Sequence, residues 1–303
     1  MASRLTDAGA KLLTHLNEKL TENGYPDEPS WGYAFTLLAA LEYEPQISEK
    51  SLAQKALSQL IKQNKTDRNY SWEFVVYAWQ RAMKLCGAIE PGIICYGEKG
   101  TRMVNWTLLR QLNRLNSNQK KIRAKLIVWA IRKFYTLNDG QILDEFKTRS
   151  LQYHAFCLFV IVELYKLLQA GYLKRWLING VKFSLQNTLE DGVALYIGRG
   201  QEQIFGYGAL IFACEFVLAK WPDEFNENHS LVLEKIIKHL LSFQRANGSF
   251  PLVLNADQPE PEGVNFKEHR PHGWYGYNTL YDYQPFLAYC LIRADKFKKG
   301  DSL

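Results

Sequence analysis

Two patterns of apolar residues alternate along this chain. In the first, apolar positions recur at intervals of three and four: Leu12, Leu13, Leu16 and Leu20; Leu52, Ala56, Leu60 and Ile61; Ile122, Leu126, Trp129 and Phe134; Leu231, Ile236, Ile237 and Leu240. Lys, Glu, Gln and Asn fill the remaining positions, so each stretch predicts a helix with one solvated side. In the second pattern the segment is apolar nearly all round: YAFTLLAALEY from Tyr33, FVVYAWQRAM from Phe74, FCLFVIVELYKLL from Phe156, IFGYGALIFACEFVLA from Ile204 and FLAYCLI from Phe286. A helix without a polar face has to be buried on every side.

The two kinds come in pairs: residues 4–22 with 31–42, 49–63 with 71–86, 118–135 with 149–169, 172–188 with 202–219, and 230–245 with 277–294. The spacing, roughly 40–50 residues, is that of helical-pair repeats. NWTLLRQLNRL, from Asn105, reads as a shorter, irregular element. Strand signals are weak throughout. An inner ring of buried helices covered by an outer ring of half-buried ones satisfies both patterns with one continuous core. The expected fold is therefore all-α, an (α/α) toroid of five to six helical pairs in a single domain over residues 1–303; an open α-solenoid would alternate in the same way. Phe156, Val160, Leu164, Phe205, Ile211, Phe212, Phe286 and Leu291 should be buried in the inner ring, with Leu16, Leu60 and Ile237 packing on it from outside.

Each inner helix follows a polar, aromatic loop containing Gly or Pro or lying close to one: DEPSWGY, DRNYSWEF, FKTRSLQYH, YIGRGQEQIFGY and HRPHGWYGYNTLYDYQP. In a closed ring these loops gather at one end, where they form a concave site rich in Trp, Tyr, His, Arg, Gln and Asn. Loops on a rigid scaffold are where function concentrates. Such a lining suits a carbohydrate, whose rings stack on aromatic faces and whose hydroxyls need many short hydrogen bonds.

Composition narrows the classes further. With 47% hydrophobic and 22% charged residues, the 303-residue chain is globular. A net charge of +6 suits an acidic substrate, but it falls short of the Lys/Arg-dense face of a nucleic-acid binder. The basic run from Lys120 to Lys133 reads as the wet face of an outer helix, with polyanion binding as the sharper alternative. No stretch is expected to span a membrane: the longest apolar run is broken by Glu163. The N-terminal residues lack the apolar core of a signal peptide. The five cysteines, Cys86, Cys95, Cys157, Cys214 and Cys290, include no C-x-x-C pair, which points to a reducing, cytoplasmic setting.

Three stretches of the chain resemble motifs of the (α/α) toroid carbohydrate-active enzymes. RSLQYHAFCLFVIVELY is similar to the R-S-x-x-Y-H-x-x-x-L stretch of the heparinase II/III-like polysaccharide lyases. GRGQEQIFGYGALIFA resembles the R-G-Q helix start of the unsaturated glucuronyl hydrolases. FQRANGSFPLVLN is similar to the D-G-S-[FW]-P loop between toroid helices, with Asn247 in place of the usual Asp. The chain departs from the lyases in having no β-sandwich pattern after Leu291.

The resemblance implies a cleft lined by Tyr153 and His154 as catalytic acid and base, and the loop before the last inner helix offers His272 and Tyr277 as further proton-transfer residues. Elimination from a uronate needs a base for the C5 proton, a neutraliser for the carboxylate and an acid for the departing oxygen. Arg149 and Arg199 are the candidate carboxylate partners, and Gln203, Trp72, Trp274, Tyr275, Asn278 and Asp282 the further substrate-binding residues. The alternative for Tyr153 and His154 is that they cap a buried helix. A hydrolase would instead need two carboxylates flanking the bond, for which Asp191, Glu202, Asp282 and Glu73 are available. A non-catalytic saccharide-binding protein of polysaccharide biosynthesis is the third reading. No cofactor is expected: no strand precedes the glycines at 198 and 200, which argues against a dinucleotide site. His269 and His272 have no matching Cys/His pair, which argues against zinc. The absence of D-x-D-D and D-D-x-x-D clusters argues against a terpenoid cyclase.

Overall fold

The computed structural model describes residues 3–45, 48, 51–64, 72–87, 103–256 and 279–300. Among them are eleven α-helices: α1 (Arg4–Lys19), α2 (Gly32–Tyr43), α3 (Leu52–Asn64), α4 (Trp72–Leu85), α5 (Val104–Asn116), α6 (Lys121–Phe134), α7 (Leu151–Leu168), α8 (Gly171–Gln186), α9 (Ile204–Lys220), α10 (Glu227–Ser242) and α11 (Leu280–Lys298). The described residues form no strand, only isolated bridges.

Helix contacts run from α2 to α4, α5, α7, α9 and α11 and then back to α2. Six helices therefore close a ring, which separates a toroid from an open solenoid. Outside it, α1 lies on α11 and α2, α3 on α2, α6 on α5, α8 on α7 and α9, and α10 on α9 and α8. All eight residues expected in the inner ring are buried, as are Leu16, Leu60 and Ile237. α7 has the length and hydropathy of a membrane span, yet it is walled in by α5, α8 and α9.

Rings project into the lumen and fill it. Near one end Trp31 stacks on Phe74 at 4.8 Å, Phe74 on Phe156 at 5.2 Å and Phe205 on Tyr283 at 4.9 Å. These residues belong to, or immediately precede, the first two turns of α2, α4, α7, α9 and α11, so those N-terminal ends meet at one pole. At the opposite pole sits a buried charge cluster. Glu42 accepts from Arg293 at 3.1 Å and from Lys296 at 2.9 Å, while Glu163 faces Lys166 at 3.2 Å and Arg81 at 3.8 Å. Burial opposes ionisation of Glu163, but Lys166 and Arg81 prevail and hold its carboxyl down at about 2.

Two elements depart from the sequence reading. The stretch from Asn105 is a full inner helix, α5, rather than a short irregular piece. Its buried face carries Asn105, Arg110, Gln111, Asn113 and Arg114, polar residues that pattern reading assigns to solvent. Neighbouring elements meet three of them: Glu73 accepts from Arg110 Nε at 2.8 Å and from Asn113 Nδ2 at 2.9 Å, and Asp144 accepts from Asn105 Nδ2 at 3.2 Å. Hydrogen bonding offsets the cost of burying them. The second departure is α6, which is turned over. Ala124, Val128 and Ile131 face α5, whereas Ile122, Leu126, Trp129 and Phe134 are 79%, 61%, 47% and 64% exposed.

Candidate functional site

The pole where the inner helices begin is built by loops that lock onto one another. Before α7, the Ser150 hydroxyl accepts from the Tyr153 N–H and donates to the Arg199 carbonyl oxygen at 2.8 Å. The Leu151 N–H donates to the Ile197 carbonyl at 3.0 Å. This close approach requires Gly198: its φ of +84° lies in the left-handed region, and a Cβ there would overlap the Arg149 carbonyl oxygen. The loops before α7 and α9 are thus joined along their backbones.

That joint carries Arg199 over the Tyr153 ring, 4.6 Å from its centroid, while one guanidinium nitrogen reaches the Asp144 carboxylate at 2.8 Å. Asp144 also receives the Asn105 amide, and its carbonyl accepts the Val104 N–H, so the start of α5 is tied to the same point. Burial pushes the Asp144 carboxyl above its ordinary range, and Arg199 offsets part of that shift. The Arg199 side chain remains 34% exposed, a cation held in place yet open to a ligand. Arg149, on the adjoining loop, is exposed at the rim. The two arginines therefore share one end of the ring.

His154 lies elsewhere. It is 1% exposed and points between α7 and α8, where Nδ1 accepts from the Ile142 N–H at 3.0 Å. With Nδ1 an acceptor, Nε2 carries the hydrogen and donates towards the Gly180 carbonyl at 3.2 Å and the Ser184 hydroxyl at 3.1 Å. Burial pushes its pKa down to about 4, so the ring is neutral and fully bonded. The catalytic role expected of it is corrected: adjacent helical residues are turned about 100° apart, so Tyr153 and His154 cannot both face the site.

Other candidates are committed to the fold as well. Gln203 is fully buried and accepts from Gln152 Nε2 at 2.7 Å, which joins α7 to the cap of α9 rather than binding substrate. Asp282 is buried; its carboxylate accepts from the Trp31 N–H at 2.8 Å and the Ser30 N–H at 3.1 Å, capping α2 from the start of α11. Burial raises its carboxyl to about 6 against these bonds. Trp72 opens α4 with its side chain buried. Glu73 is held by Arg110 and Asn113. Glu202 adopts a left-handed φ of 54° and accepts from Tyr207 at 2.6 Å, His239 at 3.0 Å and Asn255 at 3.1 Å, facing the outer helix α10. Asp191 turns back on its own loop to accept the Val193 N–H. His272, Trp274, Tyr275, Tyr277 and Asn278 lie outside the described residues.

Sequence reading passed over Asp144. The available signal was its position in the polar loop that precedes an inner helix, five residues before Arg149. Among the described residues no group of three His, Cys, Asp or Glu side chains could hold a metal ion.

A fold of this kind is shared with enzymes of saccharide chemistry. The chain is similar to an unsaturated glucuronyl hydrolase from Streptococcus agalactiae, with a TM-score of 0.64 and 14% identity over 95% of this chain and 90% of the other. It is similar to the GH76A alpha-1,6-mannanase from Salegentibacter sp. HEL1_6, with a TM-score of 0.66 and 13% identity over 96% and 98%. A polysaccharide lyase aligns at 0.63 and 10% identity over 99% of both chains. What these proteins have in common with this chain is the (α/α) toroid. No protein-family model matches the sequence, and no curated protein matches it.

Proposed function

We propose that the protein is a carbohydrate-active enzyme that takes an acidic, uronate-containing saccharide at the pole where the inner helices begin and cleaves it by β-elimination. The observation that carries this reading is Arg199, clamped between the Tyr153 ring and Asp144 while a third of its side chain remains open. A guanidinium fixed in this way pairs with a sugar carboxylate and draws charge from C5 as its proton leaves. Tyr153 removes that proton as the phenolate, the form the Arg199 cation above its ring favours, and becomes the neutral phenol as the charge passes to the substrate. His272 or Tyr277 protonates the departing glycosidic oxygen, and the C4–C5 double bond forms as the C4–O bond breaks.

A specific observation favours a second reading, a saccharide-binding protein without catalysis: His154, Glu73, Glu202 and Asp282 are all engaged in bonds internal to the fold. The same observation weighs against hydrolysis of the glucuronyl-hydrolase kind, which needs two carboxylates facing one bond.

The test is incubation with a panel of uronate polymers. Elimination gives ultraviolet absorbance from the unsaturated product, and that signal should vanish in Arg199→Ala and Tyr153→Phe. New reducing ends without the absorbance would point to hydrolysis, and binding without either signal would leave the binding-protein reading in force.

A further inference from the structure

Helix α6 presents to solvent the side chains a packed helix would hide. Ile122, Leu126 and Trp129, at i, i+4 and i+7, form a ridge on the side opposite Ala124, Val128 and Ile131, which face α5. Phe134 is exposed at the end of the same helix. Around the ridge stand Lys121, Lys125 and Arg132 on one flank and Arg123 on the other, with Lys133 on the ridge itself. The Lys133 ammonium lies over the Trp129 ring at 5.2 Å and the Phe134 ring at 5.6 Å. No acidic residue occurs from Ser117 to Asn138, and Lys120, Lys121, Arg123, Lys125, Arg132 and Lys133 together equal the +6 net charge of the whole chain. The rest of the chain is balanced; its excess charge is collected on one helix, around an apolar ridge.

We propose that α6 is a peripheral binding surface for an anionic lipid bilayer, with the helix lying in the plane of the headgroups. An apolar ridge flanked by lysine and arginine is the arrangement an interfacial helix needs: the ridge enters the acyl boundary while the cations meet anionic headgroups. Lysine and arginine stems reach along apolar surface and keep their charges in the polar layer, and Trp129 and Phe134 add aromatic area at that depth. Other occupants fit less well. Sugars stack on aromatic faces, and Ile122 and Leu126, the most exposed side chains of the ridge, offer none. A second copy of the chain docked through α6 sets like charges against each other. A nucleic-acid backbone would meet the cations and leave the ridge unused.

Vesicles of phosphatidylcholine containing about a third phosphatidylserine should bind the whole protein, and phosphatidylcholine alone should not. Binding, read by co-sedimentation, should weaken as salt rises. It should be accompanied by a blue shift of tryptophan emission that is lost in Trp129→Phe. Each cation at such a surface is worth about fivefold in partition coefficient, so Lys121→Glu with Lys125→Glu should lower it by about 25-fold or more. Ile122→Asn with Leu126→Asn should lower it by about tenfold or more at constant charge. All four positions are exposed, and unchanged thermal melting of each variant confirms that the fold is intact. Equal partition to both vesicle types, or full binding by the double Asn variant, overturns the proposal. So does a wild-type dimer that Leu126→Asn dissolves, which would make the ridge a protein interface. Binding to soluble uronate polymer through the α6 cations, with vesicles ignored, also overturns it.

Discussion

Asp282→Asn separates two accounts of how the ring closes. The Asp282 carboxylate is buried and receives the Ser30 and Trp31 amides, which would stabilise the anion. Loss of water opposes this and raises the carboxyl from its ordinary 3.8 to about 6. Between those values the folded protein keeps a proton that the unfolded chain has released. Stability from this group is therefore full below about pH 4 and lost as pH rises through 6, and the change is worth about 3 kcal/mol. Asparagine is neutral throughout and keeps one oxygen to accept from α2. Urea unfolding of wild type and Asp282→Asn, followed by tryptophan fluorescence at several pH values, isolates the effect, because every other titrating group cancels in the difference. The expected result is that the variant gains about 3 kcal/mol on the wild type between pH 4 and 7. A flat difference, or one that moves in favour of the wild type as pH rises, would mean that the amides of α2 hold Asp282 as an anion and that burial does not govern it.

His154→Ala should cost about 2–4 kcal/mol, through a cavity and an orphaned Ile142 amide, while the saccharide binding proposed at Arg199 should be preserved. Its neutral ring also makes His154 a source of acid sensitivity: stability present above about pH 6.5 is lost as pH falls towards 4, a loss that His154→Gln should reduce. Gly32→Ala places a Cβ on the Tyr281 carbonyl oxygen, a backbone atom, and should cost about 2–4 kcal/mol in urea unfolding. Glu163→Gln strands Arg81 and Lys166 and should cost about 3–5 kcal/mol at pH 7, with a much smaller penalty near pH 2, where the wild-type carboxylate is itself being protonated.

The two kinds of helix were legible because burial on all sides leaves a chain such as FCLFVIVELYKLL with no polar face. α5 was not, because Asn105, Arg110 and Asn113 read as wet until Glu73 and Asp144, from other parts of the chain, are seen to meet them. α6 misled in the opposite direction: Ile122, Leu126 and Trp129 have the period of a buried stripe, but Ala124, Val128 and Ile131 face α5 instead. At the site, the sequence brought Tyr153 and Arg199 forward because both stand at or just before the start of an inner helix. It could not say that His154, one residue on, turns into the seam with α8, nor that Asp282 serves α2. Those outcomes depend on pairings across the ring, which carry no local signal.

The seam between α2 and α11 also bears on how the chain reaches this state. The Trp31–Asp282 bond joins residues 251 apart, and Ser3 and Asp295 meet across 292. In an open stack of repeats, structure can start at any unit and spread to its neighbour; a closed ring has to bring its first and last helices together before either is covered. Contacts at such separation slow folding, because the entropy of closing the long loop is lost before they form. During synthesis α2, α4, α7 and α9, apolar on nearly every side, are all made before α11 is available to complete the wall. A ribosome-bound chain halted short of residue 280 should therefore be a client of hydrophobic-binding chaperones, and release from them should coincide with the arrival of α11.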